Sequence, residues 1–284
     1  MDAYETWNFH IVFVNLILIH PPFNAFRFVK NTTATTNSIL HMTIRNLYAA
    51  NEIGKRKNLE DSIWPKIPPE SRGSLFIVCD GVGGGNKGEV ASEMVCQSLS
   101  DYLSKLSIEA ISPADIENGV KHAIGQLDRY TEEHPASAGM ATTLVLAIIQ
   151  EKKVLLGWCG DSRIMHIRGG NVIYQTTDHS MVQLLVSQGE ISEVEALTHP
   201  QKNLILRSIN AAGINSITDV EILQDIMEGD WLLLCTDGVL ETLRSGEIAA
   251  FFAGKQEPVD TYLAILDNAK GRTNDNYSFY LIQF

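Results

Sequence analysis

The sequence predicts an α+β fold in which antiparallel sheets are sandwiched by helices, and two observations lead to this prediction. Strand-like stretches between residues 141 and 175 follow one another through short turns, which suits antiparallel pairing. Helix-like stretches come in pairs between runs of strands, whereas a dinucleotide-binding fold alternates strand and helix steadily. The order of elements therefore favours sheets covered by helix pairs.

Each element is predicted from its own apolar pattern. Strand-like segments lie within residues 43–50, 74–80, 140–149, 153–160, 163–175, 219–224, 230–236 and 277–284. The segment 163–175 is predicted to be a hairpin, because Gly169 and Gly170 supply a flexible turn at its middle. Helices are predicted within residues 88–106, 113–133, 181–188, 245–252 and 258–269.

Composition narrows the class of protein. The chain has 284 residues, of which 45% are hydrophobic, so it is long enough for one large domain or two small ones. Its 34 acidic and 22 basic residues give a net charge of -12, which argues against a nucleic-acid-binding protein. We expect a monomeric, cytoplasmic protein without stable membrane insertion.

The four cysteines indicate which chemistry is absent. They form no C-x-x-C pair, and three of them end apolar runs, where a reduced cysteine is usually a small core residue. None has an arginine six residues further on, so the Cys-x5-Arg phosphatase mechanism is excluded. The cysteines are Cys79, Cys96, Cys159 and Cys235.

The first 41 residues differ from the rest. An apolar stretch, "FHIVFVNLILI", is too short to span a bilayer and has no basic region before it. One hypothesis is that translation begins at Met42 and residues 1–41 are a start-site artefact, and the alternative is a weak membrane-associating segment. We expect the folded domain to comprise residues 42–284.

Acidic residues stand at or just beyond the ends of four predicted strands, at Asp80, Asp161, Asp237 and Asp275. A single Asp-Gly after a strand is usually a turn, but four such sites in a packed sheet can meet in one cleft. Clustered carboxylates require a cation, and oxygen-only ligands suit Mg²⁺ or Mn²⁺. An acidic pair follows the first predicted strand, and an arginine four residues before it is suited to binding a phosphate group.

The glycine-rich stretch after Asp80 contains Gly83-x-Gly85-x-x-Gly88, which has the spacing of a dinucleotide fingerprint. A carboxylate in front of that loop would repel an incoming phosphate unless a metal ion stood between them. We therefore interpret the match as accidental and the glycines as serving a sharp turn next to a metal site.

The conjunction of motifs from Met42 to Phe284 resembles the metal-dependent protein phosphatases of the protein phosphatase 2C family. The matching stretches, in order, are "RKNLEDS", "LFIVCDGVGGGNKGEVAS", "GMATTLVLAII", "GWCGDSRIMHIRGG", "TTDHSMVQLL", "GDWLLLCTDGVLETL" and "NDNYSFYLI". The resemblance implies a four-layer α-β-β-α sandwich of two antiparallel sheets flanked by helix pairs. It also implies hydrolysis of phosphoserine and phosphothreonine in kinase-regulated proteins by a water activated by two ions, Mn²⁺ or Mg²⁺.

The resemblance also implies roles for individual residues. Asp80 would bridge both ions, the carbonyl of Gly81 would bind one of them, and Asp237 and Asp275 would complete the pair. Asp161 resembles a ligand of a third ion, which it would share with Asp237.

The acidic pair and the arginine before it complete the implied site. Glu60 and Asp61 would bind the ions directly or through water, and Arg56 would hold the substrate phosphate. Taken alone, Arg56 is more typical of a solvated surface arginine than of a phosphate ligand. Asp161 is equally typical of a residue that caps a hairpin. The flap-like stretch from 177 to 207 would influence substrate choice, or is plain helical packing.

Several positions depart from the family pattern. Val82 stands where many eukaryotic members have a histidine, and an apolar residue there is typical of bacterial members. Leu59, Met140 and Asn274 are further departures, but none of them is an implied metal ligand. The alternative function is a catalytically weak or inactive relative that binds phosphoproteins, and a dinucleotide-dependent enzyme is a distant third.

Overall fold

The computed structural model describes residues 42–66, 73–82, 87–243, 245–252 and 257–284. The predictions made for residues 1–41 and for the glycines at 83–85 lie outside the described residues. Among the residues described, no helix is both long and apolar enough to cross a membrane.

Two antiparallel sheets form the centre of the fold. The first has the order β1-β12-β11-β7-β8, and the second has the order β10-β6-β5-β3-β4-β9, with β2 paired to β3. The strands are β1 (Asn46–Glu52), β2 (Asp61–Trp64), β3 (Leu75–Val82), β4 (Ala141–Thr142), β5 (Leu144–Ile149), β6 (Val154–Cys159), β7 (Arg163–Arg168), β8 (Asn171–Gln175), β9 (Ile209–Asn210), β10 (Asp219–Leu223), β11 (Trp231–Cys235) and β12 (Tyr277–Gln283). The antiparallel pairing confirms the sequence prediction and excludes a dinucleotide-binding sheet.

The helices of the described residues are α1 (Gly88–Leu103), α2 (Pro113–Glu133), α3 (Met181–Ser187), α4 (Glu193–Ala196), α5 (Asp237–Leu240), α6 (Ser245–Phe252) and α7 (Pro258–Ala269). Helices α1 and α2 cover the outer face of one sheet, and α5, α6 and α7 cover that of the other. Helices α3 and α4 have no buried residues and pack against each other. A capping box formed by Ser112 and Asp115, with Pro113 at the first helical position, explains the sharp start of α2.

Alternating side chains on the strands create three apolar layers. On β3, Leu75 and Ile77 pack against α1 and α2, whereas Phe76 and Val78 pack between the two sheets. On the other sheet, residues from β7, β11 and β12 pack outward against α5, α6 and α7. The result is the predicted four-layer α-β-β-α sandwich.

The same alternation positions the polar ends of the strands. Because Phe76 and Val78 point between the sheets, Asp80 on the same face of β3 also points between them, where the apolar layer ends. Thr236 follows Leu232 and Leu234 in the same way on β11. Polar side chains from both sheets therefore meet at one end of the sandwich.

Candidate active site

Asp61 and Asp80 form the centre of the site. Strand β2 pairs with β3 in a register that places the two residues directly opposite each other. Asp61 is buried, and its Oδ2 accepts a hydrogen bond of 3.0 Å from Oγ1 of Thr236 on the other sheet. Like charges on directly opposed residues destabilise a sheet, so this pair indicates a functional demand.

The backbone of Asp80 is held by two threonines. Its N–H donates to Oγ1 of Thr143 at 3.0 Å, and its carbonyl accepts from Oγ1 of Thr142 at 2.8 Å and from the N–H of Thr143 at 2.8 Å. Thr143 Oγ1 also lies 2.7 Å from Oγ of Ser162. These bonds give both threonines a structural role at the end of β3.

Gly81 lies where two segments approach closely. A Cβ at this position would lie 2.4 Å from the backbone of Gly88 and 2.7 Å from the carbonyl oxygen of Glu60. The Gly81 N–H donates to that carbonyl at 3.1 Å, and Oγ of Ser92 also donates to it at 2.5 Å. Only glycine fits at position 81, and the contact fixes Glu60 beside the end of β3.

Two further predicted carboxylates reach the same region from the turn after β6 and the start of α5. Asp161 and Asp237 each have an Oδ1 that is buried and makes no hydrogen bond with a described residue. The two groups repel each other, since the negative charge of Asp237 raises the pKa of Asp161. A buried carboxylate oxygen without a partner is costly, so both positions favour an additional cationic partner.

Asp275 and Arg56 form an ion pair at the rim of the site. Nη2 of Arg56 donates to Oδ2 of Asp275 at 2.6 Å, and the Arg56 side chain is 52% exposed. The Asp275 loop is held by Glu241, whose Oε2 accepts from the N–H of Asn274 at 2.7 Å and from Thr273 Oγ1 at 2.8 Å. The guanidinium thus lies beside the carboxylates rather than on a remote surface.

Burial and mutual repulsion raise the pKa values of the central carboxylates. Burial is the main cause at each, and it raises the pKa of Asp61 and of Asp161 to about 8 and that of Asp237 to about 6. The pKa of Asp80 is raised further, by burial and then by the charges of Asp61 and Asp237. Such a cluster cannot carry its full negative charge without bound cations.

Glu60 experiences a weaker form of the same effect. Burial raises the pKa of its carboxyl group, the charge of Glu89 raises it further, and the charge of Arg56 lowers it. Its backbone N–H donates to Oδ1 of Asn276 at 2.7 Å. All eight site residues predicted from the sequence thus lie at one end of the sandwich.

Asn276 is the main residue that sequence analysis missed. Its side chain is buried and, besides the bond from Glu60, donates from Nδ2 to the carbonyls of Ile53 at 2.8 Å and Asn58 at 2.9 Å. It therefore joins the β1–β2 loop, which carries Arg56, to the Asp275 segment. Its position directly after Asp275 was the only signal in the sequence.

His179 supports the loop that carries Asp161. Its Nδ1 accepts from the N–H of Gly160 at 3.2 Å, which makes the ring neutral with a proton on Nε2, 3.1 Å from Oδ2 of Asp219. Arg207, at the end of the flap-like stretch, donates to Oδ1 of Asp219 at 2.9 Å. These contacts give His179 a structural role.

Comparisons with known proteins identify relatives of the whole domain. The family model described as "Protein phosphatase 2C" matches residues 53–272. The serine/threonine phosphatase stp of Listeria innocua is 31% identical over 216 residues, which cover 74% of this chain and 84% of that protein.

Comparison with solved structures identifies relatives of the same kind. The serine/threonine phosphatase PstP/Ppp of Mycobacterium tuberculosis is similar with a TM-score of 0.72 and 27% identity, covering 84% of this chain and 97% of that chain. The catalytic domain of the phosphatase PstP in complex with two manganese ions gives a TM-score of 0.70 at 26% identity, covering 84% and 96%.

Proposed function

Because the chain belongs to the protein phosphatase 2C family, and is therefore a metal-dependent serine/threonine protein phosphatase, we propose that the carboxylates between its sheets hold two Mn²⁺ or Mg²⁺ ions. The proposed ligands are Asp80 to both ions, the Gly81 carbonyl, Asp237 and Asp275, with Glu60 and Asp61 binding directly or through water. The observation that carries the proposal is the convergence of one buried and several half-buried carboxylates at one end of the sandwich.

The donor set fits these ions chemically. It is made of oxygen atoms alone, which Mg²⁺ and Mn²⁺ prefer, and the unpartnered oxygens of Asp161 and Asp237 would gain a partner. As placed, no three His, Cys, Asp or Glu side chains of the described residues are close enough to ligate one ion. Binding therefore requires the carboxylate side chains to close together, and Asp161 and Asp237 are proposed to share a third ion.

When bound, two such ions lower the pKa of a water molecule and stabilise the charge that develops on the phosphoryl group. The chain itself contributes Arg56, whose Nε and Nη1 make no hydrogen bond with a described residue and can donate to phosphate oxygens. Val82 has no titratable group, so the proton for the departing serine or threonine oxygen comes from another donor.

The phosphatase relatives also support a proposal about the physiological setting. The protein acts on phosphorylated proteins, and we propose that these are kinase-regulated signalling proteins of a bacterial cell. Cys79, Cys96, Cys159 and Cys235 are buried free thiols, which suits a cytoplasmic protein. We also propose that the catalytic domain comprises residues 42–284, because β1 near one end of this range pairs with β12 near the other. We propose a monomer as well.

The test is hydrolysis of para-nitrophenyl phosphate with Mn²⁺, with Mg²⁺ and with EDTA. The wild type should turn over only with metal, and Asp237→Ala should lose about 100-fold or more in kcat because charge stabilisation by the ions is lost. Asp128→Ala, a change at an exposed position on α2, is the matched control and should retain activity. A folded wild-type protein without turnover in either metal would overturn the proposal.

A further inference from the structure

The β1–β2 loop, residues 53–60, is a rigidly held element at the rim of the site. The Asn276 amide donates to the carbonyls of Ile53 and Asn58, so it fixes the loop on both sides of its tip. Gly54 has a φ of +58°, and a Cβ there would lie 2.0 Å from the carbonyl oxygen of Asp275. The tip is therefore pressed against the Asp275 segment in one conformation.

Three consecutive positive charges occupy that tip. Lys55, Arg56 and Lys57 are all exposed, in a chain whose net charge is -12. Arg56 pairs with Asp275, but neither Lys55 nor Lys57 forms an ion pair with a described residue. Two lysines elsewhere on the surface do have partners, since Lys66 lies 3.2 Å from Glu93 and Lys87 lies 3.7 Å from Glu89.

We propose that Lys55 and Lys57 form an anionic-residue subsite that makes the enzyme prefer phosphoserine or phosphothreonine flanked by acidic side chains. The inference rests on the proposed function, in which Arg56 binds the phosphate. A peptide whose phosphate reaches Arg56 must carry its neighbouring residues over the same loop. Carboxylates there would meet two unpaired ammonium groups on a loop whose backbone is already fixed, so little ordering of the backbone opposes binding.

The size of the effect follows from the exposure of the two lysines. Exposed ion pairs contribute little individually and are screened by salt, so together they should change kcat/KM by about fivefold. The change should appear in KM, because these contacts lie away from the reacting phosphorus and are equal in the ground state and the transition state.

The experiment compares two phosphothreonine peptides that differ only in the two residues on each side, Asp in one and Ser in the other, with Mn²⁺ present. The wild type should prefer the Asp peptide about fivefold, less so at high salt. Lys55→Gln/Lys57→Gln should bring the ratio close to one, and Lys55→Arg/Lys57→Arg should retain it. Lys55→Glu/Lys57→Glu should reverse the preference.

A matched control removes two lysines far from the site. Lys105 follows the C-terminal end of α1, and the length of the helix, about 24 Å, separates it from Gly88 at the site. Lys152 lies in the turn between β5 and β6. Lys105→Gln/Lys152→Gln should keep the wild-type ratio. Equal hydrolysis of both peptides by the wild type, or an unchanged ratio in Lys55→Gln/Lys57→Gln, would overturn this inference alone. Hydrolysis of neither peptide would overturn the proposed function as well.

Discussion

The Asn276 side chain makes three hydrogen bonds to the segments around the site, although it is assigned no chemistry of its own. One buried side chain accepts from Glu60 and donates to Ile53 and Asn58. It therefore sets the distance between the loop with Arg56 and the end of β12 with Asp275. Its role is positioning, and losing it should affect phosphate binding as well as stability.

We expect Asn276→Ala to lower the free energy of unfolding by about 3 kcal/mol, since three hydrogen bonds of about 1 kcal/mol each are lost. It should also weaken competitive inhibition by inorganic phosphate about tenfold, because Arg56 is no longer held in place. Urea unfolding and the inhibition constant for phosphate measure the two effects.

Leu266→Ala is the control for stability alone. Leu266 on α7 is buried in the outer apolar layer. Its replacement by alanine should lower the free energy of unfolding by a comparable amount, about 2–5 kcal/mol. Its phosphate inhibition should remain that of the wild type. If Leu266→Ala weakened phosphate inhibition as much as Asn276→Ala, the positioning role would be refuted.

At this scale the sequence revealed the charged residues and missed the neutral ones. Asp80, Asp161 and Asp237 could be predicted because each follows an apolar strand, and a carboxylate at that place is conspicuous. Asn276 and Thr236 act through contacts with residues 216 and 175 positions away in the chain. Pairing over such distances is set by the packing of the two sheets, which no local pattern encodes.

Gly238, like Gly81, determines how closely the elements around the site can approach. Gly238, in α5, would carry a Cβ 1.8 Å from the carbonyl oxygen of Asn276, so α5 touches the backbone at the start of β12. Such a contact cannot be relieved by rotating a flexible side chain, since the opposing atom belongs to the backbone. It brings Asp237 and Asp275 together from two elements.

We expect Gly238→Ala to destabilise the protein by about 3 kcal/mol and to reduce metal-dependent turnover, because α5 must move away from β12. The same substitution at Gly125, in the middle of α2, should change the free energy of unfolding in the opposite direction. A Cβ there meets open space, so Gly125→Ala should stabilise by about 0.5–1 kcal/mol. Thermal unfolding of both variants checks the pair, and a stabilised Gly238→Ala would contradict the close approach.

Long elements were predictable and short ones were not. The bounds of α2, 113–133, were predicted as observed, because Ser112, Pro113 and Asp115 mark its start and its apolar periodicity continues for 21 residues. Strands β2 and β9 have four and two residues, and β2 opens with the charged Asp61. Their strand conformation depends on pairing with β3 and β4, so intrinsic propensity did not predict it.

The whole molecule is a sandwich whose two ends serve different purposes. Asp230 lies just before β11, at the end of the sandwich opposite the metal-site carboxylates. Its negative charge is neutralised by neighbouring side chains. Its Oδ2 lies 2.8 Å from Nε2 of His166, and Nε and Nη2 of Arg168 donate to its two carboxylate oxygens, each at 2.8 Å. Here a buried acidic group has a cationic partner in Arg168, whereas at the other end Asp161 and Asp237 each keep a buried oxygen that makes no hydrogen bond with a described residue.

Because of this contrast, folding raises the pKa values of the metal-site carboxylates and lowers that of Asp230. Burial alone would raise the pKa of Asp230, but hydrogen bonds from Arg168, the Met227 amide and His166 outweigh it and lower the pKa below its usual value. A carboxylate whose pKa is lowered by folding adds stability above its unfolded pKa, near 3.9, and loses it as the pH falls through the folded value.

We therefore expect Asp230→Asn to lower the free energy of unfolding at pH 7 by about 2 kcal/mol, because bonds to a charged acceptor are weakened. The difference between wild type and variant should stay constant down to about pH 5 and shrink below about pH 4, where the wild-type carboxyl group also loses its charge. Urea titrations of both proteins in EDTA at several pH values measure it, and the subtraction removes the contribution of the metal-site carboxylates common to both. A difference that persisted undiminished at pH 3 would show that shape, rather than charge, makes Asp230 necessary.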